Sequence, residues 1–448
     1  MLSFLDRSRS VAKPGHSRWL IPPAALAIHL AIGQVYAFSV FNIPLSRVLG
    51  VTESAPDDWQ LTTIGWIFSI AIVFLGLSAA LFGKWLEREG PRKAMFMAAI
   101  CFSGGFFVSS LGVYLHNIWL VYLGYGVLGG IGLGIGYISP VSTLIKWFPD
   151  RPGMATGMAI MGFGGGAMIG SPLGVKLLEH FKTAESVGVW ETMLVMGTIY
   201  FFLMILGAFL VRVPPDGWKP EGYVPGEATK GKMMTLNHVD ADTAIKTKQF
   251  WLLWVMLCVN VTAGIGVLGQ ASPMIQEMFP KIITVESAAL FVALLSFFNL
   301  IGRFFWSSLS DKIGRKVVYG IYFGLGLTLY ALVPTLGGFE TAAFFIAAFA
   351  VIMTMYGGGF ATIPAYLRDL FGTFEVGAIH GRLLTAWSTA GILGPVLINY
   401  IRQAQLNAGI PPEQAYSVTM YIMAGLLLIG FICNLAIKEV DKKYHLKV

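Results

Sequence analysis

The stretch "FFNLIGRFFWSSLSDKIGRK", residues 297–316, has an apolar left half and a charged right half. From Phe297 to Trp306 only Asn299, Gly302 and Arg303 interrupt the large apolar side chains, and from Ser307 onward the chain becomes a polar turn built on Asp311, Gly314 and Arg315. Asn299 and Arg303 are four residues apart and share one face of a helix. Arg303 precedes Asp311 by eight residues, about 12 Å along that helix. Read as a helix leaving a membrane, the stretch puts a guanidinium well inside hydrocarbon.

Composition decides whether hydrocarbon is the right surrounding. Of 448 residues, 56% are hydrophobic and 12% charged, with mean hydropathy +0.69; a soluble domain carries about twice that charged share. The chain is read as an all-α, polytopic membrane protein. Apolar runs of about 20 residues, enough to cross about 30 Å of hydrocarbon, fall at 19–45, 62–82, 94–114, 118–143, 154–178, 192–211, 250–274, 288–309, 317–337, 341–366, 383–400 and 416–437. Those are twelve crossings.

Placing the amino terminus inside puts 25 of the 31 Lys and Arg on inner segments, the positive-inside arrangement. Both termini are therefore expected in the cytoplasm, with the chain in the cytoplasmic (inner) membrane. The net charge of +7 follows from these loops and implies no nucleic-acid partner; the lipid bilayer is the surrounding, and a monomer is expected. The first apolar run has no small-residue cleavage site behind it and reads as a retained helix. Cys101, Cys258 and Cys433 all lie in apolar segments, which gives no disulfide framework. The seven histidines are scattered without metal-ligand spacing, so no metal or cofactor is expected and a membrane enzyme is set aside. No selectivity segment of a channel is visible.

"GKWLEREGPRK" at 83–93 returns as "SSLSDKIGRK" at 307–316, with Glu87 opposite Asp311 and Gly90 opposite Gly314, an offset of 224 residues. The same offset pairs Pro140 with Pro364, Gly153 with Gly377, Gly157 with Gly381 and Gly170 with Gly394. A parallel repeat of two six-helix halves follows, as in many secondary transporters. The expected division is an N-terminal segment 1–18, a bundle 19–211, a polar linker 212–249, a second bundle 250–437 and a tail 438–448.

On these residues the chain resembles the major facilitator superfamily over nearly all of its length. The superfamily's loop signature is matched at Gly83, Glu87, Gly90, Arg92 and Lys93, and again at Asp311, Gly314 and Arg315. It departs at Ser307, where glycine is usual, and at Glu87, where Asp is usual; a small residue and a carboxylate are kept. The resemblance implies that these residues latch a cytoplasmic gate, while their bare charge would also serve to fix topology. The glycines of "GMAIMGFGGGAMIGSP" in helix 5 suit a close, bending helix contact. Without a preceding strand or a following Gly-Lys-Ser/Thr they do not read as a phosphate loop.

The ionisable membrane interior reduces to Arg303 and His29, because the sequence places no Asp or Glu in the middle of a crossing. An intramembrane arginine is costly unless it faces a cavity or snorkels to the headgroups. The counter-charge for Arg303 is expected from an anionic ligand, since its fork can grip a carboxylate with two parallel hydrogen bonds and Asn299 can orient it. His29 is either a packed, hydrogen-bonded histidine or a coupling group.

The Asn299/Arg303 spacing, "GQVYAFSVF" at 33–41 and "YGGGFATIPAY" at 356–366 are similar to the oxalate:formate antiporter family and its monocarboxylate-transporter relatives. The resemblance implies that Arg303 binds the substrate carboxylate and that Asn299, Gln34, Tyr36, Tyr137, Tyr356, Phe360 and Trp387 line the site. The oxalate exchanger of that family carries a helix-11 lysine as a second cation; "LLTAWSTAGILGP" at 383–395 has none. One arginine neutralises a monoanion and leaves a dianion unbalanced, which favours formate, lactate or pyruvate over oxalate unless His29 as imidazolium compensates, a state that an apolar position disfavours. Without a mid-membrane acid to load a proton, anion exchange by alternating access is expected, with proton-coupled symport through His29 as the alternative. A non-transporting sensor on the same fold is the reading of another class, separated by absence of substrate flux.

Overall fold

The computed structural model describes residues 3–224, 234–336 and 342–446. Residues 225–233 of the 212–249 linker, and the outermost residues of the 1–18 and 438–448 segments, lie outside the described residues. Among the described residues there are twelve helices long and apolar enough to cross a membrane. They are α1 (Arg18–Leu45), α2 (Leu61–Glu89), α3 (Pro91–Tyr114), α4 (Ile118–Trp147), α5 (Pro152–Phe181) and α6 (Val189–Leu210). The series continues with α7 (Lys248–Met278), α8 (Val285–Ile313), α9 (Arg315–Leu336), α10 (Ala343–Phe371), α11 (Val376–Asn407) and α12 (Pro412–Ala436). The all-α architecture of twelve crossings expected from the sequence is the one observed.

The repeated loop explains how successive helices can begin one residue after the last ends. Gly90 and Gly314 close α2 and α8 with φ of 94° and 92°, a conformation that side-chain-bearing residues adopt only with strain. α3 and α9 then start at Pro91 and Arg315. Several helices overrun their apolar windows. α11 starts at Val376 rather than near residue 383 because His380 and Arg382 depress the hydropathy of its first turns, although Val376–Gly381 are buried. α1 winds as a 3-10 helix over Gly33–Phe41, and α4 as a π-helix over Tyr122–Gly129.

The chain forms two compact units. One contains Met1–Asp150, Met158–Tyr223 and Glu375–Ser388; the other contains Arg151–Gly157, Val224–Phe374 and Thr389–Val448. In the first, glycines on both sides of the α1–α5 contact allow a close crossing: a Cβ on Gly33 of α1 would collide with the Phe163 carbonyl, and one on Gly166 of α5 would lie 2.5 Å from that of Leu30. The N-terminal segment pairs Val11 with Val213 in a short parallel bridge. The loop before α2 is folded around Asp58, whose carboxylate accepts from the N–H groups of Leu49, Gly50 and Ala55. Burial acts to raise its pKa, but those N–H groups and the His116 imidazole outweigh burial and hold it below the ordinary carboxylate range.

Candidate functional site

In the second unit, Arg303 of α8 is fully buried at 0% exposure. Its Nε donates to Asn299 Oδ1 at 3.1 Å, one turn back on the same face. The guanidinium lies 5.4 Å from the Phe360 ring, and Tyr356 meets Phe360 edge-on at 5.3 Å. Gly357 makes this possible. A Cβ there would collide with the Asn299 backbone oxygen and lie 3.0 Å from Arg303 Cγ, so α10 can approach α8 closely only with glycine. Asn299, Arg303, Tyr356 and Phe360 therefore form one group, in which the amide fixes the guanidinium plane and a π face supports it.

In the first unit, Tyr36, Tyr137 and Trp387 converge with Phe163, which the sequence reading did not single out. Tyr137 lies 5.3 Å from Phe163 and 5.4 Å from Trp387, and Tyr36 lies 5.2 Å from Phe163 and 6.4 Å from Trp387. His29 sits against the same tyrosine at 5.3 Å, and His380 approaches it from α11 at 5.8 Å. Gln34 belongs elsewhere: its Oε1 accepts from Tyr125 at 3.0 Å, beside the Phe38–Tyr125 ring pair at 4.5 Å. Two residues apart on one helix, Gln34 and Tyr36 point to different faces and enter different clusters.

The carboxylates of the loop signature cap helix starts. Asp311 accepts from Gly153 N at 2.9 Å and Met154 N at 2.8 Å, the first turn of α5. Its repeat counterpart Glu87 accepts from Gly377 N at 2.9 Å, the first turn of α11. Both use the positive end of a helix dipole. Asp311 also pairs with Arg315 at 2.6 Å, and Arg315 reaches Asp369 at 3.0 Å, which Arg368 joins at 3.2 Å. Glu87 has instead Lys146 at 2.5 Å and the Ser142 hydroxyl at 2.7 Å. Gly83 lies against Ala378, where a Cβ would be 2.6 Å from the backbone. Arg92 is not in this pair; its Nη1 donates to Phe4 O at 3.3 Å and fastens the N-terminal segment. Lys146, Asp369 and Arg368 lie far from the signature in sequence, and only their position at helix ends hinted at a role.

The pattern of the Major Facilitator Superfamily matches residues 24–395 and again 271–447. The chain belongs to that superfamily. It is a membrane transporter, not an enzyme. It is 28% identical over 382 residues to the oxalate:formate antiporter of Oxalobacter formigenes, covering 84% of this chain and 83% of that one. It is likewise 28% identical over 378 residues to the uncharacterized MFS-type transporter YhjX of Escherichia coli strain K12, covering 84% and 86%. Human monocarboxylate transporter 11 is 25% identical over 400 residues, covering 86% and 77%. Among solved structures, the E. coli fucose:proton symporter FucP superposes with a TM-score of 0.64 at 15% identity over 94% of this chain and 99% of its own. The proton:xylose symporter XylE superposes at 0.66 and 15% identity over 95% of each. At such identity these two speak for the fold alone.

Proposed function

We propose that this protein exchanges small monocarboxylate anions across the cytoplasmic membrane, with the substrate carboxylate held by the Arg303 guanidinium. The observation that carries the reading is the arrangement of Arg303 in α8: buried, its plane set by Asn299 through Nε, its flank against Phe360. A guanidinium can grip a carboxylate through two parallel hydrogen bonds. The relatives named for oxalate, formate and monocarboxylate agree with that chemistry. The absence of a lysine from 383–395 favours a monoanion such as formate, lactate or pyruvate.

Exchange is favoured over proton symport because the sequence has no Asp or Glu in the middle of a crossing to load a proton. A desolvated guanidinium charge is also balanced better when an anion travels with it. The repeats 19–211 and 250–437 are the bodies proposed to alternate access. Glu87 and Asp311 are the proposed cytoplasmic latches, holding helix starts in one state and releasing them in the other, and both termini are placed in the cytoplasm by the positive charge of their loops.

The test is uptake of a labelled monocarboxylate into proteoliposomes. Vesicles preloaded with unlabelled substrate are expected to take up label many times faster than empty ones, and a pH gradient across empty vesicles to drive little. Strong proton-driven accumulation into empty vesicles would replace exchange by symport. No flux of any C1 to C4 carboxylate under either condition would leave the sensor reading.

A further inference from the structure

We infer that His29 is a proton-binding site that staples α1 to α4 and α5 in the first unit, and that its occupancy sets the rate of anion exchange. The second half of this statement rests on the transport function proposed above; the first does not.

The His29 ring is fully buried, with Nδ1 2.6 Å from the carbonyl oxygen of Ala159 in α5 and Nε2 3.1 Å from that of Tyr137 in α4. A carbonyl oxygen can only accept. A neutral imidazole carries one N–H and one bare lone pair, so it can satisfy one of these oxygens and must turn a lone pair toward the other. Both acceptors are backbone carbonyls, so flipping the ring only exchanges one for the other. Only the doubly protonated imidazolium donates to both, and each of those hydrogen bonds is then charge-assisted.

The surrounding sequence builds the arrangement. Pro140 has no N–H to offer the carbonyl of Gly136, which interrupts the α4 ladder in the turn that bears Tyr137. Gly162 lets α5 reach α1: a Cβ there would stand 3.1 Å from that of His29 and 2.8 Å from Leu26 Cδ1. The fold does not require the staple. The repeat-related position of His29 is Leu253, buried in α7, and that of Tyr137 is Ala361.

The titratable groups facing His29 are Tyr137 of α4 and His380 of α11. The rings of Tyr137 and Phe163 lie 5.3 and 6.5 Å away, and His380 lies 5.8 Å from Tyr137. Neither ring nitrogen of His380 has a hydrogen-bond partner among the described residues, whereas both nitrogens of His29 face acceptors. The proton therefore resides on His29. Its loss breaks one hydrogen bond and opposes two lone pairs, which loosens α1 from α4 and α5, the helices that carry Tyr36, Tyr137 and Phe163. Protonation holds the latched arrangement, and deprotonation frees it, so exchange accelerates as pH rises through the titration of this site.

The site is tested first without transport. Protein labelled with 15N-histidine is placed in nanodiscs, and the His29 ring signals are assigned by their loss in His29→Gln, or in His29→Asn if the first variant fails to insert. Both ring nitrogens of His29 are expected to carry a proton at about pH 5, the acid side of histidine's ordinary range; a single protonated nitrogen there overturns the proposal. Counterflow is then measured at equal pH inside and outside. The wild-type rate is expected to rise about 30-fold across the titration, the size of one hydrogen bond to a charged group, while His29→Gln is flat and His380→Gln keeps the slope. A flat wild type, or a slope lost only in His380→Gln, overturns the regulatory half. Absence of any flux with an intact double protonation would instead overturn the transport reading and leave the proton site standing.

Discussion

Ala79 and Arg303 occupy the same place in the two repeats, 224 residues apart and one turn before the Gly83 and Ser307 positions. The backbone around them is packed alike. In the first unit Gly381 lies so close to the Ala79 carbonyl that a Cβ would collide with it; in the second a Cβ on Gly157 would be 3.1 Å from the Arg303 carbonyl. One crossing surrounds a methyl group and the other a guanidinium. Around them the asymmetry continues, with Leu253 opposite His29 and Ala361 opposite Tyr137. The two repeats share where helices touch and differ at single positions, which give the second repeat Arg303 and the first His29 and Tyr137.

The largest effect expected from this comparison is at its charged end. Arg303→Lys replaces the fork by a point charge that cannot be oriented by Asn299 through Nε. Loss of one hydrogen bond to a charged group is worth about 2 kcal/mol, a fall of about 30-fold in counterflow, in protein that still inserts. Ala79→Ser at the related position is expected to stay within about twofold. Comparable losses in the two variants would mean that the crossing, not the charge, is what transport needs.

A smaller effect separates the two latches. Asp311 belongs to a network of four charged side chains, Asp311, Arg315, Asp369 and Arg368, that are 5% to 12% exposed. Glu87 relies on Lys146, which is 27% exposed. Asp311→Asn breaks a buried network and is expected to cost about 3 kcal/mol of stability. Glu87→Gln, which weakens a partly solvated pair, is expected to cost about 1 kcal/mol. Thermal unfolding in detergent reads the difference; equal shifts would show that capping of the helix start, common to both, dominates over ion pairing.

The sequence made the twelve crossings legible because apolar run length is a property of the chain, and it made the repeat legible because offsets can be counted. What it concealed lies where burial and hydropathy disagree. The first turns of α11 carry His380 and Arg382 and look like a loop, yet they pack against α2 and receive the Glu87 cap. Gln34 and Tyr36 are near neighbours in sequence, but two residues apart on a helix they face different ways and join different clusters. The conflict of His29 with two carbonyls is invisible in a sequence because backbone acceptors leave no residue signature. Arg303 was legible for the opposite reason: an arginine at that depth has few ways to exist.

The central claim, that one guanidinium grips a single carboxylate, is tested most directly by competition. Counterflow of a labelled monocarboxylate by the wild-type protein is measured against increasing unlabelled formate, lactate, pyruvate and oxalate at equal pH on both sides. At least one monoanion is expected to inhibit at lower concentration than oxalate, because a second carboxylate finds no lysine in 383–395 to balance it. Stronger inhibition by oxalate than by any of the monoanions would contradict it.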